Sequence, residues 1–344
     1  MVSARDARAW AADGGLHGIG DSLYTPFEGR DGDDIDWDAY RTLVRYCIGD
    51  LDHAMLWLTS GIAEWWSLTI PERKQLLEIA VEEARAINPD VVIQACTSAA
   101  SAKDTLELTL HAQEHGADIA FIQTPIMEVH GGEGVLRFFR YLADRTDLAL
   151  GMFNSPSSGY VLTSAEMATI YDAIPAVVAV KEGVQDSIMP TRVLHALVPE
   201  LQIWECDFMV YEAGWLQDGI VAPAQLGTSG YLFETPGDKW YSQYWQLIWD
   251  GALDDARAYW KANSVRSGID MGGGWNTCYP GRPEYFTHWG EAFKLAASVI
   301  GLPIGDYPYS RPPQALLPAE ARQQIRAAYE SSGMAGQARV AATA

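Results

Sequence analysis

A (β/α)₈ barrel with a C-terminal helical extension is the fold class this sequence predicts, and three observations predict it. Short apolar runs alternate with helical patterns eight times in succession, repeating at roughly 20–37 residues, the length of one strand–helix unit. No composition break interrupts the series, which favours one closed barrel over an open doubly wound sheet. No glycine-rich phosphate fingerprint follows the first strand, which argues against a dinucleotide-binding domain.

The elements follow in order. Residues 1–14 are polar and alanine-rich and read as a loose lead-in or a short helix. The barrel is expected over 15–250, packed helices over 251–333 and a frayed tail over 334–344. The first strand runs from Leu16 to Gly20 and on to Tyr24–Phe27, with a polar turn over Gly29–Asp34. Asp36–Cys47 has helical spacing, with Tyr40, Leu43, Val44 and Cys47 on one face. Further strands are expected at 54–59, 91–96, 119–125, 148–154, 177–183, 202–207 and 222–229. Thr69 followed by Ile70-Pro71-Glu72 is a helix start, with a capping hydroxyl, proline in the first turn and an early acid. Helices also open near Ser101, Gly134, Thr163, Thr191 and Met209, and an aromatic helix starts at Trp240. Beyond it, Asp254–Ile269, Trp289–Ile300 and Pro318–Ser331 have helical patterns but offer little core of their own, so they are expected to pack on the barrel.

Composition narrows the function. The formal net charge of -21, from 45 acidic against 24 basic residues, repels phosphate backbones and anionic membranes, so neither nucleic acid nor a membrane is an expected partner. The four cysteines (Cys47, Cys96, Cys206 and Cys278) are far apart and form neither a disulfide framework nor a metal cluster. Without a leader pattern or a membrane-length apolar run, a cytoplasmic protein is the default expectation.

Barrel enzymes act at the C-terminal ends of their strands. Val177-Val178-Ala179-Val180 reads as a strand buried on both faces, closed by Lys181, with Gly183 letting the backbone turn away. A lysine there has its stem among apolar side chains, where desolvation disfavours the ammonium, as a Schiff-base lysine requires. The competing reading is an ordinary strand-end lysine that reaches solvent or pairs with Glu182. The other strand ends offer Ser60-Gly61-Ile62, Phe153-Asn154, Asp207 and Ser229 as substrate-binding positions. The hydroxyl and backbone amides of Ser60-Gly61-Ile62 could hold a carboxylate, or could be ordinary helix capping and turn chemistry. Glu64 reads first as an acceptor for backbone N–H groups of the next loop.

These residues carry a resemblance. Lys181-Glu182-Gly183 is similar to the lysine strand of the dihydrodipicolinate synthase/N-acetylneuraminate lyase superfamily. Phe153-Asn154-Ser155-Pro156-Ser157-Ser158-Gly159, ending 22 residues before Lys181, resembles that family's Tyr-Asn-x-Pro-x-x-x-Gly segment. Ser60-Gly61-Ile62-Ala63-Glu64 matches the frame of its Gly-Thr-Thr-Gly-Glu segment, and Gly301–Gly305 with Arg311-Pro312-Pro313 resembles its C-terminal region. The resemblance implies a barrel with helical extension, a homo-oligomer (dimer or tetramer), and a lysine imine formed with pyruvate or another 2-oxo acid, without metal or organic cofactor.

The departures set the substrate expectation. The family's proton-relay tyrosine falls on Phe153, its paired hydroxyls on Gly61 and Ile62, and its second tyrosine on Ile126 or Met127. The semialdehyde-binding arginine falls near Ser158, so dihydrodipicolinate synthesis is not expected. Tyr160, Glu182, Asp207 and His130 are the candidates for a replacement acid/base, with Tyr160 taken first; the competing reading of Tyr160 is a packed aromatic. The expected activity is an aldolase or hydratase-aldolase acting on pyruvate or a substituted 2-oxo acid. A bulky, aromatic aldehyde partner would suit Trp65, Trp66, Ile126 and Met127. The same imine would serve a dehydratase of deoxy-keto sugar acids, and a barrel without the relay could bind a small ligand without turnover.

Overall fold

Alternation in the apolar runs builds strands with one face to a lumen and one to an outer helical layer. The computed structural model describes residues 2–125, 131–155, 158, 160–183, 189–205, 224–225, 230–263 and 289–338. The barrel strands are β1 (Gly18–Ser22), β2 (Met55–Leu58), β3 (Val92–Cys96), β4 (Ile119–Gln123), β5 (Ala149–Asn154), β6 (Val177–Glu182), β7 (Gln202–Glu205) and β8 (Ala224–Gln225). They run in the order β8-β1-β2-β3-β4-β5-β6-β7, every hydrogen-bonded pair parallel. At the remaining seam β7 and β8 lie beside each other, which closes the ring. The fold is a (β/α)₈ barrel.

The helices are α1 (Ala7–Ala12), α2 (Trp37–Arg45), α3 (Ile70–Ile87), α4 (Ala102–Glu114), α5 (Gly131–Ala143), α6 (Ser164–Ala173), α7 (Met189–Leu197), α8 (Trp240–Trp249), α9 (Leu253–Ala262), α10 (Trp289–Ile300) and α11 (Ala319–Ser331). Thr69 and Glu72 form a capping box at the start of α3, and Thr163 with Glu166 forms a second at α6. The helix expected over 36–47 ends as α-helix at Arg45 and widens into a π-helical turn over Tyr46–Asp50. The long first strand is two pieces: β1 stops at Ser22, and Phe27–Glu28 forms a small antiparallel hairpin with Asp34–Ile35. The helix expected from Met209 lies outside the described residues.

The larger core lies between strands and helices, including Leu56, Leu58, Ile93, Ile122, Met152, Val180 and Ile203. A second cluster fills the lumen with Met55, Trp57, Ile119, Phe121, Phe153 and Trp204. Gly151 is required there, because a Cβ would stand 2.5 Å from the Phe121 ring.

The C-terminal segment is fastened at the corner after β2. Lys294 of α10, fully buried, donates to Glu64 Oε1 at 2.9 Å, and the Arg311 backbone N–H donates to Glu64 Oε2 at 3.1 Å. Burial pulls the Lys294 ammonium below its ordinary range, against the raising effect of Glu64. The Arg311 guanidinium pairs with Glu72 at 2.8 Å and donates to the carbonyls of Ser67 and Asp33. Gly290 allows the approach, since a Cβ there would lie 2.2 Å from Glu64 Oε1.

Candidate active site

Lys181 is the penultimate residue of β6, and register fixes what it faces. Its cross-strand partners are Phe153 of β5 and Trp204 of β7, so these three side chains project to the same side. Lys181 is 6% exposed, with Nζ 4.1 Å from the Trp57 ring centroid and 4.7 Å from that of Phe153. Ring faces attract a cation by about 0.5–2 kcal/mol, and they also keep water from the amine. Among the described residues no carboxylate lies within ion-pair distance of Lys181. The pairing with Glu182 does not form: Glu182 is fully buried on the opposite face and accepts from Asn154 Nδ2 at 2.9 Å.

The floor below Lys181 is aromatic. Trp57 meets Phe153 edge-on at 5.2 Å and Phe121 at 6.0 Å, and Phe121 lies 4.9 Å from Trp204. Sequence reasoning does not single out Trp57 or Trp204, whose place in apolar strands looks like packing. The available signal is parity: counting in twos along β2 puts Trp57 on the face of Met55, inside the lumen.

The turn after β2 forms one wall. Thr59 has φ 51°, a costly left-handed conformation for a β-branched residue, held by its hydroxyl donating to the Cys96 carbonyl at 2.8 Å. Ser60 is buried with its hydroxyl against that of Ser22 at the end of β1, a partner not foreseen from the sequence. The backbone N–H groups of Gly61 and Ile62 donate to no acceptor among the described residues, leaving two donors at a strand end. Trp66, 39% exposed, stands over this turn, with ring carbon 3.7 Å from where a Gly61 Cβ would be. Trp65 is buried beside the Arg73 guanidinium.

Two expectations are corrected. Asn154 follows Phe153 and therefore points away from Lys181; its amide donates to the Leu162 carbonyl and to Glu182 and accepts from the Leu162 N–H at 2.8 Å. It anchors the loop before α6, not a substrate. The Ile62 side chain packs into the outer core, so what it offers the turn is its backbone amide, the group the sequence reading assigns to it. The Tyr160 hydroxyl donates to Glu166 Oε1 at 2.7 Å, and that bond raises the phenol above its ordinary value, so it keeps its proton. With its backbone tied to Thr124, Tyr160 is held as part of the α6 cap. Glu64 is a structural acceptor as expected, but for the C-terminal segment in place of the next loop. Asp207, Ser229, His130, Ile126 and Met127 lie outside the described residues.

Comparison with known proteins agrees with this geometry. The sequence profile of the Dihydrodipicolinate synthetase family matches residues 15–228. The chain is similar to 4-hydroxy-tetrahydrodipicolinate synthase of Bacillus velezensis, 29% identical over 206 residues that cover 60% of this chain and 65% of that protein. It is also similar to the enzyme of that name from Thermotoga neapolitana, 31% identical over 170 residues, 49% of this chain and 55% of that one. The chain thus spans less than two thirds of these relatives' lengths. Among solved structures, it resembles a prophage protein of the dihydrodipicolinic acid synthase family from E. coli K12, in complex with pyruvate. Their TM-score is 0.74 at 20% identity, covering 93% of this chain and 99% of the other. Dihydrodipicolinate synthase from Aquifex aeolicus gives the same TM-score, 0.74, at 17% identity, covering 93% and 99%. With its profile match over more than half the sequence and its lysine at the end of the sixth strand of a closed barrel, this chain belongs to the dihydrodipicolinate synthetase family.

Proposed function

We propose that the chain is a Schiff-base-forming lyase, an aldolase or hydratase-aldolase that joins or splits pyruvate, or a substituted 2-oxo acid, and a bulky aldehyde. The observation that carries this reading is Lys181, buried at a strand end against Trp57 and Phe153 with no carboxylate partner among the described residues. The neutral amine adds to the ketone carbon of the 2-oxo acid, and water leaves to give a protonated imine. As the C4 hydroxyl gives up its proton to a base, the bond between C3 and C4 breaks and its electron pair passes to that cation, leaving an enamine and freeing the aldehyde. Protonation at C3 and hydrolysis then release pyruvate and restore Lys181. The reverse sequence forms the bond.

In this reading the N–H groups of Gly61 and Ile62, which have no acceptor among the described residues, receive the carboxylate, and the paired hydroxyls of Ser60 and Ser22 add to that wall. Phe153 occupies the position next to Lys181 and carries no proton, so the reaction must run without a phenol at that point. This departure favours a substrate other than aspartate semialdehyde. Trp66 over the turn and the aromatic floor favour a flat, apolar aldehyde.

Borohydride reduction in the presence of pyruvate, followed by peptide mass spectrometry, tests the reading. A reduced adduct is expected on the Lys181 peptide and absent from Lys181→Ala. Release of pyruvate from an aromatic aldol adduct then separates aldol cleavage from dehydration of a sugar acid, in which no pyruvate is set free. No adduct with pyruvate or larger 2-oxo acids would reject the imine, and a binding barrel without turnover would replace it.

A further inference from the structure

On the outer layer of the barrel, away from the lumen, three side chains converge that the imine chemistry does not use. His111 of α4 and His115 at its C-terminal cap are one turn apart, so their rings share a face, with centroids 4.1 Å from each other. Glu78 of the neighbouring α3 reaches between them. Its Oε1 lies 3.1 Å from His111 Nε2 and 3.9 Å from His115 Nε2, and all three atoms fall within 4.8 Å of one another. His111 Nε2 is buried and makes no well-directed hydrogen bond, so this nitrogen is aimed into the cluster without being satisfied by it. The nearby Lys74 ammonium is already held by Glu107 at 2.6 Å and does not fill the gap.

We propose that Glu78, His111 and His115 form a binding site for one zinc-class divalent ion that clips α3 to α4. Ligands held about 2.0–2.1 Å from a tetrahedral ion lie roughly 3.3 Å from each other, close to the separations found between the glutamate oxygen and the two imidazoles. Two imidazole nitrogens and one carboxylate oxygen suit Zn²⁺, Cu²⁺ or Ni²⁺ and not Ca²⁺ or Mg²⁺, which take oxygen shells. With Glu78 at 45% and His115 at 38% side-chain exposure, the fourth position opens to solvent and takes water. The ion spans two consecutive helices of the outer layer. It is a staple and takes no part in the lumen chemistry.

The test uses the full chain without an affinity tag, freed of metal by chelator and titrated with Zn²⁺ in competition with a chromogenic chelator. One equivalent of Zn²⁺ per chain is expected, with a rise in Tm on binding. Glu78→Gln and the double variant His111→Ala/His115→Ala should each weaken binding by roughly a hundredfold or more. Glu78 is exposed and His111 half-buried, so circular dichroism of each variant confirms folding. Cobalt(II) in place of zinc should show a tetrahedral ligand-field spectrum without a thiolate charge-transfer band, since no cysteine takes part. The proposal is overturned if no stoichiometric zinc binds, if the double variant binds like the parent, or if the cobalt spectrum reports thiolate. The first result would leave Glu78 and His111 as a packing contact between α3 and α4 without a metal.

Discussion

A lysine held between an indole and a phenyl ring has few ways to interact except with what enters the lumen. That places the burden of proton transfer on groups other than residue 153. Phe153→Tyr restores a phenol in register with Lys181 and should speed exchange of the pyruvate methyl protons with solvent by about tenfold or more, read by NMR in D₂O. An unchanged exchange rate would mean that another group already supplies this step. At this scale the sequence reveals Lys181 and Phe153, because a charged residue closing an apolar run stands out. It conceals Trp57, since a tryptophan in a buried strand is indistinguishable from packing until register is known. Asn154 misleads for a related reason. Motif position places it beside the lysine, while the period of two along a strand sends neighbours to opposite faces.

The corner from Thr59 to Glu64 is the element on which most constraints meet. It has left-handed residues at both ends, Thr59 at φ 51° and Glu64 at φ 59°, and it bears the two N–H donors between them. Glu64 holds this shape by accepting from Lys294 and Arg311. Glu64→Ala leaves the buried Lys294 ammonium without its partner and should cost about 3–5 kcal/mol in denaturant unfolding. A loss below about 1 kcal/mol would show that the corner keeps its shape unaided. Helix starts at this scale are legible, because Thr69 and Thr163 carry the full capping-box pattern with Glu72 and Glu166. The partners of Glu64 are not, because no local pattern links residues separated by 230 positions.

Across the whole molecule the net charge of -21 coexists with a buried cationic histidine. His53 bridges Asp21 at 2.6 Å and Glu234 at 2.7 Å, joining the end of β1 to the segment before α8. Burial would lower its pKa, but the two carboxylates outweigh burial and raise it to about 10. The folded state therefore keeps a proton that the unfolded chain releases near 6.5. This contribution is complete below pH 6.5 and is lost as pH rises toward 10. Between those limits stability should fall by roughly 1.4 kcal/mol per pH unit, and His53→Gln should flatten that slope in urea unfolding. A parent slope matched by the variant would assign it to other groups. The eightfold alternation makes the barrel legible from the sequence. The closure through His53 is not, because its carboxylates come from opposite ends of the barrel segment.

The bond between Glu64 and Lys294 also has a meaning in time. Synthesis adds about 5–20 residues per second, so the 230 residues separating the two emerge over roughly 10–50 s. Throughout that interval the first strands can pair on the ribosome, but the Glu64 carboxylate has no cation to receive it and stays in water. The corner that would hold a substrate carboxylate is thus completed only after α10 and Arg311 have both emerged. Nascent chains arrested before residue 294 should present a partly formed barrel whose second strand end is still open.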